Sequence, residues 1–180
     1  MSGSVVAKRY ADALFQYAIE NDKAEQFVSQ LSVILDVFQE NEKSLQFLSH
    51  PRVDEVKKMQ FIDEVFNSFD RAIVNTLKIL IQRQRIAHVT SVIEQFIQFY
   101  NEANKIAVAT VYSVRELTDK EREEFERSFK KVIDKNKIEI ENIIDPSLIG
   151  GMRIRVGNTI YDGSISNKLN RIKSNIVSAN

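Results

Sequence analysis

Apolar side chains recur at helical spacing through the first hundred residues. Steps of three and four residues mark six stretches with short polar connections between them, a period typical of amphipathic α-helices. The first predicted helix covers residues 4–20 and the fifth covers residues 70–84. Pro51 ends a short third helix, because proline disfavours helical backbone in the residue before it, and Asp54 is placed to cap the fourth. Short connections between amphipathic helices predict a compact six-helix bundle.

The fourth predicted helix places four apolar side chains toward the predicted core. They are Ile62, Val65, Phe66 and Phe69. The sixth helix has the same character, with a face rich in valine, isoleucine and phenylalanine. We therefore expect one apolar core shared by the helices of this half of the chain.

The period changes from 3.6 to two near Lys105. Residues 106–112 are rich in β-branched side chains and predict a strand, and a second strand follows around Ile138 and Ile140. Between the strands, Thr118 and Glu121 have the spacing of a capping box, which opens a helix. The predicted inner face of that helix is Phe125, Phe129, Val132 and Ile133. The fold class is therefore α+β, with a helical bundle over residues 1–105 and a small α/β domain over residues 106–180.

Four of the five glycines lie between residues 144 and 164. A phosphate-binding glycine loop leads into a helix N-terminus, but Gly150 and Gly151 precede an alternating apolar and charged segment that predicts a strand. Gly157 then begins a two-residue turn, which predicts a tight β-hairpin. Gly163 and Ser164 close the hairpin, and Ser164 is placed to cap a last helix. The apolar positions of that helix are Ile165, Leu169, Ile172 and Ile176.

Composition and charge exclude several classes of function. The 25 basic and 25 acidic residues cancel, which argues against a general affinity for nucleic acid or anionic lipid. No apolar run is long enough for insertion into a membrane. The chain has no cysteine, and His50 and His88 lack neighbours at ligand spacing. We therefore expect no metal, no cofactor and no catalytic residues.

The first predicted helix has an apolar arc of about 200°, roughly twice the stripe that packing on one core requires. Part of this arc should face outward. Its outer subset mixes small residues with tyrosines, which suits a docked helix. The subset is Val6, Tyr10, Ala13 and Tyr17.

The fifth helix gives a parallel signal. Ile79 stands apart from the inner face, among polar residues that include Asn75 and Thr76. A groove between helices one and five would accept an amphipathic partner helix. Periodicity by itself favours this groove and a fully buried first helix equally.

Three segments carry a resemblance to a known family. RYADALF near the N-terminus, VIEQFIQFY at the end of the bundle and IDPSLIGGMRIRVGNTIYDGSI resemble the delta subunit of bacterial F-type ATP synthases, whose mitochondrial counterpart is the oligomycin-sensitivity-conferring protein. The resemblance covers essentially the whole chain. Its most specific part is a pattern of aspartates, glycines and one serine: Asp145, Gly150, Gly151, Gly157, Asp162, Gly163 and Ser164.

The resemblance implies a non-catalytic stator with an N-terminal six-helix bundle and a smaller α/β domain. In that family the bundle binds N-terminal helices of the alpha subunits, and the C-terminal domain binds subunit b of the peripheral stalk. The complex lies at the cytoplasmic face of the bacterial cell membrane. The head-binding surface maps here to Tyr10, Ala13, Thr76 and Ile79, with Val6, Tyr17 and Asn75 as neighbours. The signature aspartates and glycines have a role in the fold. Arg85 matches the family, whereas Arg83 and Gln84 depart from its common turn.

The competing interpretation is a helical RNA-binding adaptor with an appended α/β domain. RNA-binding proteins usually carry a basic stripe. Residues 1–105 instead hold 12 basic and 14 acidic side chains, and residues 106–180 hold 13 and 11. The electrostatics therefore favour the stator.

Overall fold

The computed structural model describes residues 2–133, 135–169 and 171. The chain divides into two compact units, Met1–Tyr100 and Asn101–Asn180. The division falls in the last turn of the sixth helix, a few residues before the period change in the sequence. The described residues combine α-helices with a four-stranded sheet, so the α+β class is confirmed.

The first unit is helical. Its helices are α1 (Ser2–Glu20), α2 (Ala24–Glu40), α3 (Glu42–Ser49), α4 (Glu55–Val65), α5 (Arg71–Gln82) and α6 (Val89–Ala103), with a 3₁₀ turn at Ile86–His88. Small residues of α1 and large ones of the other helices form a single buried core. Phe27 of α2 and Phe96 of α6 are fully buried at its centre, with ring centroids 6.3 Å apart.

Aspartate side chains begin two of these helices. Asp54 accepts a hydrogen bond from the backbone N–H of Val56, and Asp70 accepts one from that of Ala72. Both satisfy amide groups that have no partner within the helix, so the predicted Asp54 cap is confirmed. The inward prediction for Val65 is wrong, because 43% of this residue is exposed. α4 ends at Val65, and Phe66 enters the core in its place.

The second unit is built on a sheet with strand order β2-β1-β3-β4. The strands are β1 (Ile106–Ser113), β2 (Lys137–Ile144), β3 (Met152–Val156) and β4 (Thr159–Asp162). β1 pairs with β2 in parallel and with β3 antiparallel. The parallel pair is joined by a crossover helix, α7 (Asp119–Ile133), as this connection requires.

The capping box at the start of α7 is confirmed. The backbone N–H and hydroxyl of Thr118 both donate to the Glu121 carboxylate, and the Glu121 N–H donates to the Thr118 hydroxyl. Hydrogen bonds from Arg115, and then from Thr118, lower the pKa of Glu121 to about 2. The charged carboxylate therefore caps the helix throughout the physiological pH range.

One face of α7 packs on the sheet through Phe125, Phe129 and Ile133. Phe129 stacks on Phe125 at 4.9 Å and meets Tyr161 of β4 edge-on at 5.0 Å. The inward prediction for Val132 is wrong, because this residue is 61% exposed. It lies in the last turn of α7, on the far side of Phe125 from Phe129 and Ile133, and so falls at the edge of the stripe that packs on the sheet.

The hairpin between β3 and β4 has the predicted two-residue turn. Val156 pairs with Thr159 across Gly157 and Asn158, and Gly157 has a φ of +55°. After β4, the Ser164 hydroxyl accepts a hydrogen bond from the Asn167 N–H and caps the helical residues 165–169. The predicted positions Ile172 and Ile176 of this helix lie outside the described residues.

Candidate functional site

Helices α1 and α5 are antiparallel neighbours in the first unit. Lys23, just after α1, lies 2.7 Å from the carboxylate of Asp70, which begins α5. At the opposite end, the guanidinium of Arg85, just after α5, donates to the hydroxyl of Tyr10 at 3.4 Å. Since both helices rise 1.5 Å per residue, Tyr17 lies level with Thr76 and Ala13 lies level with the turn that contains Ile79.

α1 turns one flank toward α5 and the other toward α6. Its buried stripe consists of Ala7, Ala11, Leu14 and Ala18. On one side of that stripe, Phe15 packs edge-on against Phe96 of α6 at 5.6 Å. On the other side, Tyr10 contacts Arg85. The four residues on the α5 side, at steps of three and four, are Val6, Tyr10, Ala13 and Tyr17.

α5 is likewise flanked by two helices. Lys78 forms an ion pair with Asp63 of α4 at 2.6 Å, which identifies the α4 side of the helix. Thr76 and Ile79 lie on the opposite flank, the side of α1. The Thr76 hydroxyl donates to the Ala72 carbonyl within its own helix, so its methyl group is the part that it presents outward.

The two flanks together form a surface that we call the α1–α5 groove, lined by Val6, Tyr10, Ala13, Tyr17, Thr76 and Ile79. Ala13 is exposed, and Tyr17 and Ile79 are 42% and 45% exposed. Val6, Tyr10 and Thr76 are half-buried at its base. Asn75 is exposed and lies beside Ile79, farther from α1. The structure therefore brings the sequence-predicted residues of both helices to one surface, with Asn75 at its edge.

An ion pair and a cap fix one end of the groove. Asp70 accepts hydrogen bonds from Lys23 and from the Ala72 N–H, and its own N–H donates to the Gln30 side chain. The hydrogen bond from Lys23 is the main cause that lowers the pKa of Asp70. The pair therefore remains charged at neutral pH and holds the start of α5 against the end of α1.

The sequence signature occupies a second location, in the C-terminal unit. Asp145 accepts hydrogen bonds from the N–H and hydroxyl of Ser147 and from the guanidinium of Arg153. Asp162 accepts one from the Ser164 N–H, and the Ser164 side chain, followed by this N–H, lowers the pKa of Asp162. Each carboxylate thus orders a turn of its own chain.

The glycines of the signature allow two turns to approach closely. A Cβ atom on Gly151 would lie 2.6 Å from the Gly163 carbonyl oxygen, and Gly151 has a φ of +75°. Backbone hydrogen bonds join the same turns, from Gly163 to Met152 and from Ile165 to Gly150. A Cβ on Gly150 would meet only the end of the Ile165 side chain, at 2.7 Å. The close packing of the two turns against each other therefore accounts for these glycines, without a bound ligand.

Two glycines with positive φ allow a matched test of this close approach. Gly151→Ala is expected to destabilise the C-terminal unit by about 2 to 4 kcal/mol, because left-handed strain adds to the separation of two hydrogen-bonded turns. Gly157→Ala should cost only about 1 to 2 kcal/mol, since no atom lies within 4 Å of its Cβ position. Hydrogen exchange of β1 amides in the full chain measures both. Equal losses would show that the close approach does not matter.

Three contacts of these regions have no signal in the sequence. The Arg153 guanidinium lies over the Tyr112 ring at 4.8 Å while it pairs with Asp145. The Lys23–Asp70 and Arg85–Tyr10 contacts join residues far apart along the chain. Finding them requires the register of β1 against β3 for the first contact and the alignment of α1 against α5 for the other two, and periodicity supplies neither.

The described residues contain no group of three histidine, cysteine or carboxylate side chains that could hold a metal ion. Among the described helices, none is both long and apolar enough to cross a membrane.

Comparison with known proteins gives consistent matches over the whole chain. The family model described as the ATP synthase delta (OSCP) subunit matches residues 6–176. An ATP synthase subunit delta of Oceanobacillus iheyensis is 48% identical over 180 residues, which cover 100% of this chain and 99% of that protein. The protein of the same name from Geobacillus sp. strain WCH70 is 44% identical over 177 residues, which cover 98% and 99%.

A solved structure has a similar fold. A chain in the cryo-EM structure of the Toxoplasma gondii mitochondrial ATP synthase hexamer superposes with a TM-score of 0.75, and the match covers 95% of this chain and 97% of that one. The two sequences are 19% identical, so this likeness bears on the fold alone.

Proposed function

The chain belongs to the ATP synthase delta (OSCP) subunit family, and on that premise we propose that it is the stator subunit joining the catalytic head of an F-type ATP synthase to its peripheral stalk. The first unit binds N-terminal helices of the alpha subunits through the α1–α5 groove. The second unit binds subunit b. The protein is a structural, non-catalytic subunit, held by its partners at the cytoplasmic face of the cell membrane.

The observation that carries this proposal is the outward apolar surface shared by two neighbouring helices. Ala13 and Ile79 are exposed on α1 and α5 and are not part of the buried core, while Tyr17 is 42% exposed and has one side of its ring against the core residue Phe27 at 6.2 Å. Small and aromatic side chains together allow close approach of a helix backbone while tolerating a wet rim. An amphipathic helix that lies along such a groove buries its apolar face.

The proposed stator role requires a contact that resists the torque of the rotor. A rotor turning inside the head drives synthesis only when the head itself is prevented from turning. The joint must therefore dissociate slowly, and buried apolar contacts chiefly slow dissociation. Two compact units in one chain allow one contact on the head and another on the stalk.

Reconstitution tests the proposal as a whole. Heads stripped from membranes and a soluble fragment of subunit b should form a ternary complex in size-exclusion chromatography only when this protein is present. A complex of head and subunit b that forms equally well without the protein would refute the stator role.

Ile79→Ala should weaken binding of a synthetic peptide of the alpha-subunit N-terminus. Removing the exposed part of this side chain should cost about 1 to 3 kcal/mol of binding free energy, measured by calorimetric titration. Val33→Ala is the matched control, because Val33 is an equally exposed aliphatic residue, 50% exposed, on α2. Equal affinities for the two variants would remove Ile79 from the binding surface.

A further inference from the structure

One end of the α1–α5 groove is cationic. Arg83 is the residue that caps the end of α5, and it continues the flank that carries Thr76 and Ile79. Arg85 follows it and reaches across to Tyr10. Arg9 lies one turn before Ala13 on α1. Because the helices are antiparallel, all three arginines lie at the same end of the groove.

These arginines have no carboxylate partner in the described part of the chain. The ion pairs of the first unit join Lys23 with Asp70 and Lys78 with Asp63, and neither involves an arginine. Arg9 and Arg83 are exposed, whereas Arg85 is half-buried against Tyr10. This end of the groove therefore holds three cationic side chains that no ion pair among the described residues neutralises.

The opposite end of the groove has a different charge. There Lys23 is neutralised by Asp70, and the exposed Glu20 and Asn75 contribute one negative charge and one neutral amide. The groove thus has a basic end and a neutral-to-acidic end, separated by the apolar surface around Ala13 and Ile79. An apolar groove alone would bind an amphipathic helix in either direction. The difference in charge between the two ends favours one direction of the bound helix over the other.

We propose that the arginine end of the α1–α5 groove binds the acidic side chains of the partner helix and thereby sets the direction in which that helix lies. The inference rests on the proposed function, because it takes the occupant to be an alpha-subunit helix. Rim charges act mainly on the association rate, on salt dependence and on the rejection of the wrong orientation. The apolar contacts supply most of the affinity.

Two charge-neutralising variants test the role of the arginines. Arg9→Gln and Arg83→Gln should each weaken binding of the alpha-subunit N-terminal peptide about two- to fivefold at low salt. The differences from wild type should vanish near 1 M salt, where charges are screened beyond about 3 Å. Arg71→Gln is the matched control, because Arg71 is exposed at the other end of α5 on the opposite flank. A peptide with its acids replaced by amides should bind all four proteins equally.

Orientation is tested separately with a spin label. The chain has no cysteine, so Gln82→Cys near the arginine end and Asn75→Cys near the other each give a single labelling site. The label at position 82 should broaden NMR signals of the acidic part of the peptide, and the label at position 75 should broaden the other part. The reverse pattern, or peptide affinity unchanged by both arginine variants at low salt, would overturn the inference while leaving the groove in place.

Two other outcomes have distinct meanings. Wild-type protein that binds no peptide at any salt concentration would refute the groove itself, and the inference with it. An arginine-dependent affinity for an unstructured RNA oligonucleotide that competes with the peptide would assign the basic end to nucleic acid instead.

Discussion

Ala13→Asp is expected to weaken binding of the alpha-subunit N-terminal peptide on the order of a hundredfold or more. Ala13 is exposed on α1 at the level of Ile79, where the backbone of a docked helix must come closest. A carboxylate buried there without a partner costs several kcal/mol, and each 1.4 kcal/mol is a factor of ten in affinity. Calorimetric titration measures the loss.

Arg9 makes a second variant necessary. It lies four residues before Ala13, so an aspartate at position 13 has a cation within reach along the helix. Ala13→Leu adds bulk without charge and should still obstruct the approach of the partner backbone. We expect it to weaken binding by at least about tenfold, which corresponds to about 1.4 kcal/mol.

Ile19→Asp is the matched control for both variants. Ile19 is an apolar residue of the same helix, 51% exposed, and lies about 120° around α1 from Ala13. Its replacement should leave peptide affinity unchanged. Thermal melts should show little change for any of the three proteins, because all three substitutions are at the surface. Wild-type affinity for Ala13→Asp would place the binding surface elsewhere, and a collapsed melting temperature would mean that Ala13 belongs to the core.

The sequence predicts those parts of the fold that depend on local periodicity and capping. The change of period near Lys105, the capping box at Thr118 and the Gly157 turn each depend on a few neighbouring residues, and each is present in the structure. Val65 and Val132 show where this reasoning fails. Both are apolar and lie near the predicted stripe. Their burial also depends on where the helix ends and on how wide a surface its neighbours cover, and the pattern of one helix contains neither piece of information.

Ile149 shows a second kind of limit. It has a φ of +64° and is 66% exposed, although left-handed backbone is unfavourable for a β-branched residue. Periodicity cannot detect such a position. Ile149 lies between two ordered segments: the Asp145 turn precedes it, and the close approach of Gly151 to Gly163 follows it. The backbone conformation of Ile149 depends on contacts of both segments, which the local sequence does not show.

The α1–α5 groove could be predicted from the sequence only in part. The outward residues of α1 and α5 can be read from each helix separately, since each has an apolar residue outside its buried stripe. Their alignment cannot, because it depends on pairs distant in sequence, Lys23 with Asp70 and Tyr10 with Arg85. The same alignment brings Arg9 and Arg83 to one end, so the charge asymmetry of the groove is visible only in three dimensions.

Deleting residues 106–180 is expected to abolish binding to subunit b and to leave binding of the alpha-subunit peptide within about twofold of the full chain, a difference of about 0.4 kcal/mol. Among the described residues, the buried core of the helical unit runs from Ala7 to Phe96, with Phe99 of α6 packed against it. α6 ends at Ala103, and Lys105 has a φ of +53° before β1 begins at Ile106. A cut after residue 105 therefore removes the whole second unit beyond that point without removing a turn of α6.

The truncated protein must first be shown to be folded, by a helical circular dichroism spectrum and a cooperative thermal melt. Its affinities for the alpha-subunit peptide and for a soluble fragment of subunit b are then compared with those of the full chain. Since each proposed contact lies within one compact unit, losing the second unit should remove one interaction and spare the other. Retained binding of subunit b by the folded truncation would move the stalk contact to the helices. Loss of both interactions would mean that each partner needs both units, and that the joint cannot be divided into a head contact and a stalk contact.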